Sequence, residues 1–142
     1  MLRRAVLDTS IVVAALRTRL GAVNAVLRLA ANGRLVVLAT PPLFLEYEEV
    51  LLRPEQLLAH RLSPEEVTDF LAELAARIEP VELHFRWRPQ SADTGDEMVI
   101  EAAVNGHADA VITYNVKDFL SPCKRFGIPV LTPAEVLNKV KQ

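Results

Sequence analysis

Four short, almost wholly apolar runs constrain this chain more than any other feature. They occupy residues 5–7, 35–38, 110–112 and 128–131 and are dominated by Val, Leu, Ile and Ala. A strand with one face in water alternates apolar and polar residues, whereas a run without alternation is expected of a strand covered on both faces, as in a parallel sheet between helices. Helical periodicity covers residues 10–16, 22–32, 41–52, 64–77, 95–105 and 133–141. Strand alternating with helix predicts an α/β fold with a mostly parallel sheet. The helix ends are marked as well. Thr40-Pro41, Ser63-Pro64 and Thr132-Pro133 each set an N-cap hydroxyl before a Pro at the first helical position, while Asn32-Gly33 and Asn105-Gly106 supply residues that tolerate the left-handed conformation at a helix end. Residues 83–94 are the least regular part and are predicted as a loop following a short strand near Val81.

With 142 residues and no linker-like tract, the chain reads as one domain over 1–142. A domain of that size buries roughly 70% of its unfolded surface, enough for a core without covalent staples. The lone Cys123 excludes an internal disulfide and a Cys-based zinc site. No apolar run approaches the roughly 20 residues of a membrane span, and the stretch after Arg3-Arg4 is soon interrupted by Asp8, so a soluble cytoplasmic domain is expected. The net charge of −2 hides an asymmetry: residues 1–45 carry six Arg and one acid, residues 46–116 five Arg and fifteen acids, and residues 117–142 five basic residues and two acids. Basic ends around an acidic middle are compatible with a polyanionic partner, and equally with a solvated acidic helix face.

A few acids stand where surface charge is not expected. Asp8 ends the first strand, before Thr9 and Ser10, and the carboxyl edge of an open α/β sheet is where ligands bind. Asp8 could instead cap the next helix, but Thr9 and Ser10 can also do that. Glu46 falls inside the apolar stripe Leu43, Tyr47 and Val50, whereas Glu48 and Glu49 point away. A carboxylate on that face needs a cation or a cleft rim. Asp96 likewise shares the face of Val99, Ile100, Ala103 and Val104, with Glu97 and Glu101 on the flank. A Thr94–Glu97 capping box would leave Asp96 free, and Asp93 is the alternative cap. The segment Thr113-Tyr114-Asn115-Val116-Lys117-Asp118-Phe119 places further polar groups beyond the strand at 110–112, although Asn115 and Asp118 could be turn residues.

Several carboxylates gathered at one edge repel one another, and a hard divalent cation relieves the conflict. Oxygen ligands without His or Cys favour Mg²⁺ or Mn²⁺ over zinc. Such an ion activates water and stabilises charge on a phosphodiester, so metal-dependent phosphoryl hydrolysis is the natural chemistry. Other templates are missing: there is no Gly-rich phosphate loop and no G-x-S-x-G elbow, and His60, His84 and His107 lack partners at ligand spacing. Two Tyr, one Trp and five Phe also argue against a base-stacking sheet of the RNA-binding-module type.

These residues resemble PIN-domain proteins, in the branch of toxin components related to the VapC ribonucleases. The resemblance rests on Val6-Leu7-Asp8-Thr9-Ser10, on Glu46 before Val50-Leu51, on Asp96-Glu97-Met98 leading into Ala102-Ala103, on Ala108-Asp109-Ala110 with Val111-Ile112-Thr113 and Asn115 to Phe119, and on the run from Val130 to Leu137. It implies a single α/β/α sandwich, cleavage of RNA to a 3′-hydroxyl and a 5′-phosphate, Mg²⁺ or Mn²⁺ as cofactor, a cognate antitoxin and a homodimer. Carried over by position, Asp8, Glu46 and Asp96 match the three central acids. The fourth position departs from the family pattern: Asn115 stands where many relatives have Asp, with Asp118 three residues on. Asn offers a carbonyl oxygen but no charge. Either Asp118 serves as a fourth ligand, or Asn115 orients a site of three carboxylates, with Thr9, Ser10 and Thr113 as supporting groups.

The same departure leaves open a non-catalytic PIN module that binds RNA or a protein partner. A haloacid-dehalogenase-like loop is disfavoured because Ser10 stands where its second Asp belongs. Arg17, Arg19, Lys117, Lys124 and Arg125 are candidates for RNA-backbone contacts. The helix at 64–77, with Val67, Phe70, Leu71 and Leu74 on one side, is a candidate interface or a part of the domain's own core.

Overall fold

A computed structural model describes residues 2–18, 21–84 and 93–140. Its elements run β1 (Arg4–Leu7), α1 (Thr9–Arg17), α2 (Ala22–Ala31), β2 (Val36–Ala39), α3 (Pro41–Leu51), α4 (Pro54–His60), α5 (Pro64–Arg77), β3 (Ile78–Pro80), α6 (Thr94–Asn105), β4 (Ala110–Ile112), α7 (Val116–Arg125), β5 (Val130–Leu131) and α8 (Pro133–Val140). The strands form one five-stranded sheet in the order β3-β2-β1-β4-β5. Every pairing is parallel, with Ala5 beside Val37 on one side and Ala110 on the other. The helices pack around this sheet as an α/β/α sandwich, α3 touching both α1 and α6, and α2 lying on α8.

The unbroken apolar runs are the reason for this arrangement. Ala5, Val6, Leu7, Val37, Leu38 and all of β4 are buried, and each such Val, Leu or Ile contributes about 1.5–3 kcal/mol when taken from water. Helix starts follow the predicted caps. Thr40 Oγ1 accepts the N–H of Leu43 at 3.3 Å, and Ser63 and Glu66 form a reciprocal capping box. Thr132 and Glu135 form the same pair at the start of α8. No single described helix is long and apolar enough to cross a membrane.

Several expectations need correcting. Helix α4 was not foreseen, because none of its residues is buried and no apolar stripe marks it. The polar segment after β4 becomes helical from Val116 onwards. Its stripe of Phe119, Pro122 and Cys123 is buried, but Pro122 inside the helix reads in the sequence as a breaker. The end of α6 also differs: Gly106 is not left-handed, and His107 takes that conformation (φ 52). A Cβ at Gly106 would stand 2.9 Å from the Ala102 carbonyl and 3.0 Å from Leu38 and Val81, so Gly is required there by close approach. On α5, Val67, Leu71 and Leu74 are buried in the domain's own core, which withdraws that face as an interface. Glu97 and Glu101 are buried rather than flanking, at 5% and 2% exposure. Most of the predicted 83–94 loop, with Trp87, lies outside the described residues, as does Arg19.

Candidate active site

From β1 the chain steps outward to β2 and β3 on one side, then returns so that β4 pairs with the other side of β1. The connections leaving β1 and β4 therefore diverge, and a crevice opens at their carboxyl ends. Asp8 directly follows β1 and Thr113 directly follows β4. Asp8 is 5% exposed. It occupies the N-cap position of α1, yet its side chain makes no cap bond. Instead, Oδ2 accepts two hydroxyl donors, Ser10 Oγ at 2.7 Å and Thr113 Oγ1 at 2.7 Å. The hydroxyls are fixed in turn, since Ser10 Oγ accepts the N–H of Tyr114 (3.3 Å) and Thr113 Oγ1 that of Asn115 (2.8 Å). Two neutral hydroxyls thus orient a buried carboxylate, and neither engages Oδ1.

The second acid group forms where α3 passes the start of α6. Leu43, Tyr47 and Val50 bury the predicted stripe of α3, and Glu46 lies partly buried within it. The Tyr47 hydroxyl donates to the Leu7 carbonyl, tying α3 to the end of β1 beside Asp8. Burial, then the Asp8 charge, raise the Tyr47 phenol well above its ordinary pKa, so it stays a donor. At α6 the cap is Asp93, whose Oδ1 accepts the N–H of Asp96 at 3.0 Å, and not Thr94. The result is the one that matters for chemistry: the Asp96 carboxyl is not used as a cap. A Cβ placed on Gly95 would meet Asp93 Oδ1 at 3.1 Å and Glu46 Oε1 at 3.5 Å, so both carboxylates border the same small space.

Electrostatics ties these groups together. Asp96 is pushed up to about 7, first by burial and then by the charges of Asp93, Asp8, Asp118 and Glu97. Acids from β1, the α6 cap, α6 and α7 therefore act on one carboxyl group. Asp118 sits in the first turn of α7, exposed, and Asn115 is that helix's N-cap residue without a side-chain cap bond. Thr9 begins α1, partly buried. Ser10 and Thr113 hydrogen-bond the Asp8 carboxylate. Among the described residues no three Asp, Glu, His or Cys side chains already stand close enough to hold a metal ion. The fit to a hard divalent cation lies in the donor chemistry, all oxygen, and in the burial and like charges that together raise Asp96.

Two participants were not singled out from the sequence. Asp93 was weighed only as a cap, and its charge acts on Asp96 as well; an Asp three residues before another at a helix start was the available signal. Tyr47 was read as core, and nothing in the sequence announces the carbonyl its hydroxyl reaches. Of the basic candidates, Arg17 donates to Gln56 Oε1 at 3.0 Å, while Lys117 and Lys124 are exposed on α7.

The fold has close structural counterparts. A chain of VapBC2 from Rickettsia felis, crystallised bound to a DNA fragment from the promoter, matches with a TM-score of 0.63 at 16% identity, over 91% of this chain and 98% of that one. A chain of VapBC-1 from nontypeable Haemophilus influenzae gives 0.62 at 17% identity, over 92% and 98%. At such identities the likeness concerns the fold. No curated protein sequence matches the chain significantly. The PIN domain family model, however, matches residues 4–117, a span that runs from β1 through the acids at the switch point to the start of α7. The chain belongs to the PIN domain family.

Proposed function

We propose that this PIN domain is a metal-dependent endoribonuclease that hydrolyses RNA phosphodiester bonds with Mg²⁺ or Mn²⁺ and serves as the toxin of a toxin–antitoxin pair. The observation that carries the reading is the grouping of acids at the sheet's switch point, where Ser10 and Thr113 hold Asp8 and where Asp93 and Glu46 border one space at the start of α6. Asp8, Glu46, Asp96 and Asp118 are the candidate ligands. A bound divalent cation would supply Lewis acidity and a water of lowered pKa for attack at phosphorus. Ser10 and Thr113 hold Asp8 through Oδ2, leaving Oδ1 to face a ligand. Thr9 and Asn115 border the same edge and complete the supporting set. Lys117 and Lys124 offer contacts to the RNA backbone.

The toxin role is supported by the structural neighbours, which come from VapBC complexes. We propose with it a cognate antitoxin that covers the site, a homodimer and a cytoplasmic location, the last two resting on the resemblance to VapC-related toxins in the sequence alone. A PIN module without catalytic power, binding RNA or a protein partner, is the second reading. The observation in its favour is Asn115 in place of an acid. Incubating the protein with a panel of RNAs in Mg²⁺, Mn²⁺ or EDTA separates the two. The nuclease reading expects cleavage that EDTA abolishes and that Asp8→Asn and Asp96→Asn both lose. Intact RNA in every metal, with binding retained, selects the second reading.

A further inference from the structure

Tyr114 is a large aromatic residue left half in water, at 51% exposure, directly after the strand that feeds the site. Its position is fixed from three directions. Its own N–H donates to Ser10 Oγ, the preceding residue donates its hydroxyl to Asp8, and the following residue donates its N–H to Thr113. Two hydrogen bonds in series, 3.3 and 2.7 Å, separate the Tyr114 backbone from the Asp8 carboxylate. The other tyrosine, Tyr47, is fully buried. Phe44 and Tyr47 meet edge to face, whereas Tyr114 makes no ring contact among the described residues.

A half-exposed aromatic side chain whose own N–H is two hydrogen bonds from Asp8 is suited to stacking an unpaired base beside the acids. We infer that Tyr114 is the stacking platform for one nucleobase of a single-stranded RNA whose adjacent phosphate lies at the acid group. The inference rests on the nuclease reading and adds a substrate preference to it. The stacked position accepts any base, because every base has a π face. Tyr114 is a specificity-determining residue here, while the acids carry the chemistry.

The test measures binding separately from cleavage. Anisotropy of end-labelled single-stranded RNA 12-mers, with Ca²⁺ in place of Mg²⁺ or Mn²⁺ so that the acids are neutralised, is compared for wild type, Tyr114→Phe and Tyr114→Ala, with single abasic positions walked along the RNA. Tyr114→Phe should bind as wild type does, and Tyr114→Ala about tenfold more weakly. One abasic position should weaken wild type by a similar factor and leave Tyr114→Ala unaffected, since base and ring are then removed from the same contact. Equal binding by Tyr114→Ala, an abasic loss that persists in it, or no RNA binding by wild type overturns the inference. Circular dichroism melts of both variants control for folding. Cleavage with Mn²⁺ is scored on its own: a wild type that binds through Tyr114 but never cuts sinks the nuclease reading and leaves the platform standing.

Discussion

The two edges of the sheet treat charge in opposite ways. At the amino edge, Arg4 donates to Glu79 at 2.8 Å and to the Gly106 carbonyl at 3.0 Å. There Asp109 Oδ2 accepts the backbone N–H groups of Arg3 and Arg4 at 3.0 and 2.8 Å. Arg4 and Asp109 at that end thus each meet an opposite charge or a peptide group. At the carboxyl edge, among the described residues, the Asp8 carboxylate receives hydroxyls alone, and burial, then neighbouring like charges, push Asp96 up to about 7. Structure that serves only stability pairs opposite charges, whereas a site that must attract a cation gathers like ones. The contrast therefore separates scaffold from site within one sheet.

The comparison can be broken by experiment, and the largest effect is on catalysis. Asp8→Asn should reduce RNA cleavage to the level seen with EDTA, with a melting temperature close to wild type. Asp109→Ala should do the reverse. It should cost about 1–3 kcal/mol in denaturant unfolding, because the β1 N–H groups lose their acceptor, while Mn²⁺ binding by calorimetry stays unchanged. An Asp109 variant that lost metal binding would show that the two edges are not independent.

The pH dependence sharpens the same point. Asp96 titrates near 3.8 when unfolded and at about 7 in the fold, so the folded protein holds the proton more tightly. The stability this provides is fully present below about pH 4 and is lost as pH rises through about 7. In EDTA, melting temperatures should therefore decline across that window, and Asp96→Asn should flatten the decline. Stabilisation by Mn²⁺ should grow across the same window, since the metal requires the ionised carboxylate. A wild type whose metal-free stability rises from pH 4 to 7 would show that the carboxylates do not share a field.

The smallest effect concerns the fourth position. Asp118→Ala should lower the Asp96 midpoint and weaken Mn²⁺ binding modestly, whereas Asn115→Ala should leave the midpoint unchanged. The opposite ranking, read from melting curves against pH, would move the fourth role to Asn115.

How much of this was legible in the sequence depends on range. Helix caps at Thr40, Ser63 and Thr132 depend on residues three apart, and all formed as the pattern indicates. At the start of α6 the sequence leaves two competent caps open, Thr94 and Asp93, and the structure uses Asp93. Helix α7 was missed because Pro122 outweighs a stripe of three residues. Asp8 and Asp96 were legible as misplaced acids, since a carboxylate in an apolar stripe contradicts its own neighbourhood. The burial of Glu97 and Glu101 was not, because helical spacing does not reveal how wide a buried face is when a helix packs on both sheet and neighbour.

By itself, then, the sequence determined the α/β alternation, the doubly covered sheet and most helix boundaries, all of which follow from periodicity and from contacts within a few residues. It also marked the acids that stability does not explain. Only the tertiary structure decided the strand order, and with it the switch point that brings Asp8, 105 residues distant, within 2.7 Å of Thr113. The reason is physical: hydrophobic burial is non-directional and selects which faces are covered, while register and crossover fix which strand ends become neighbours.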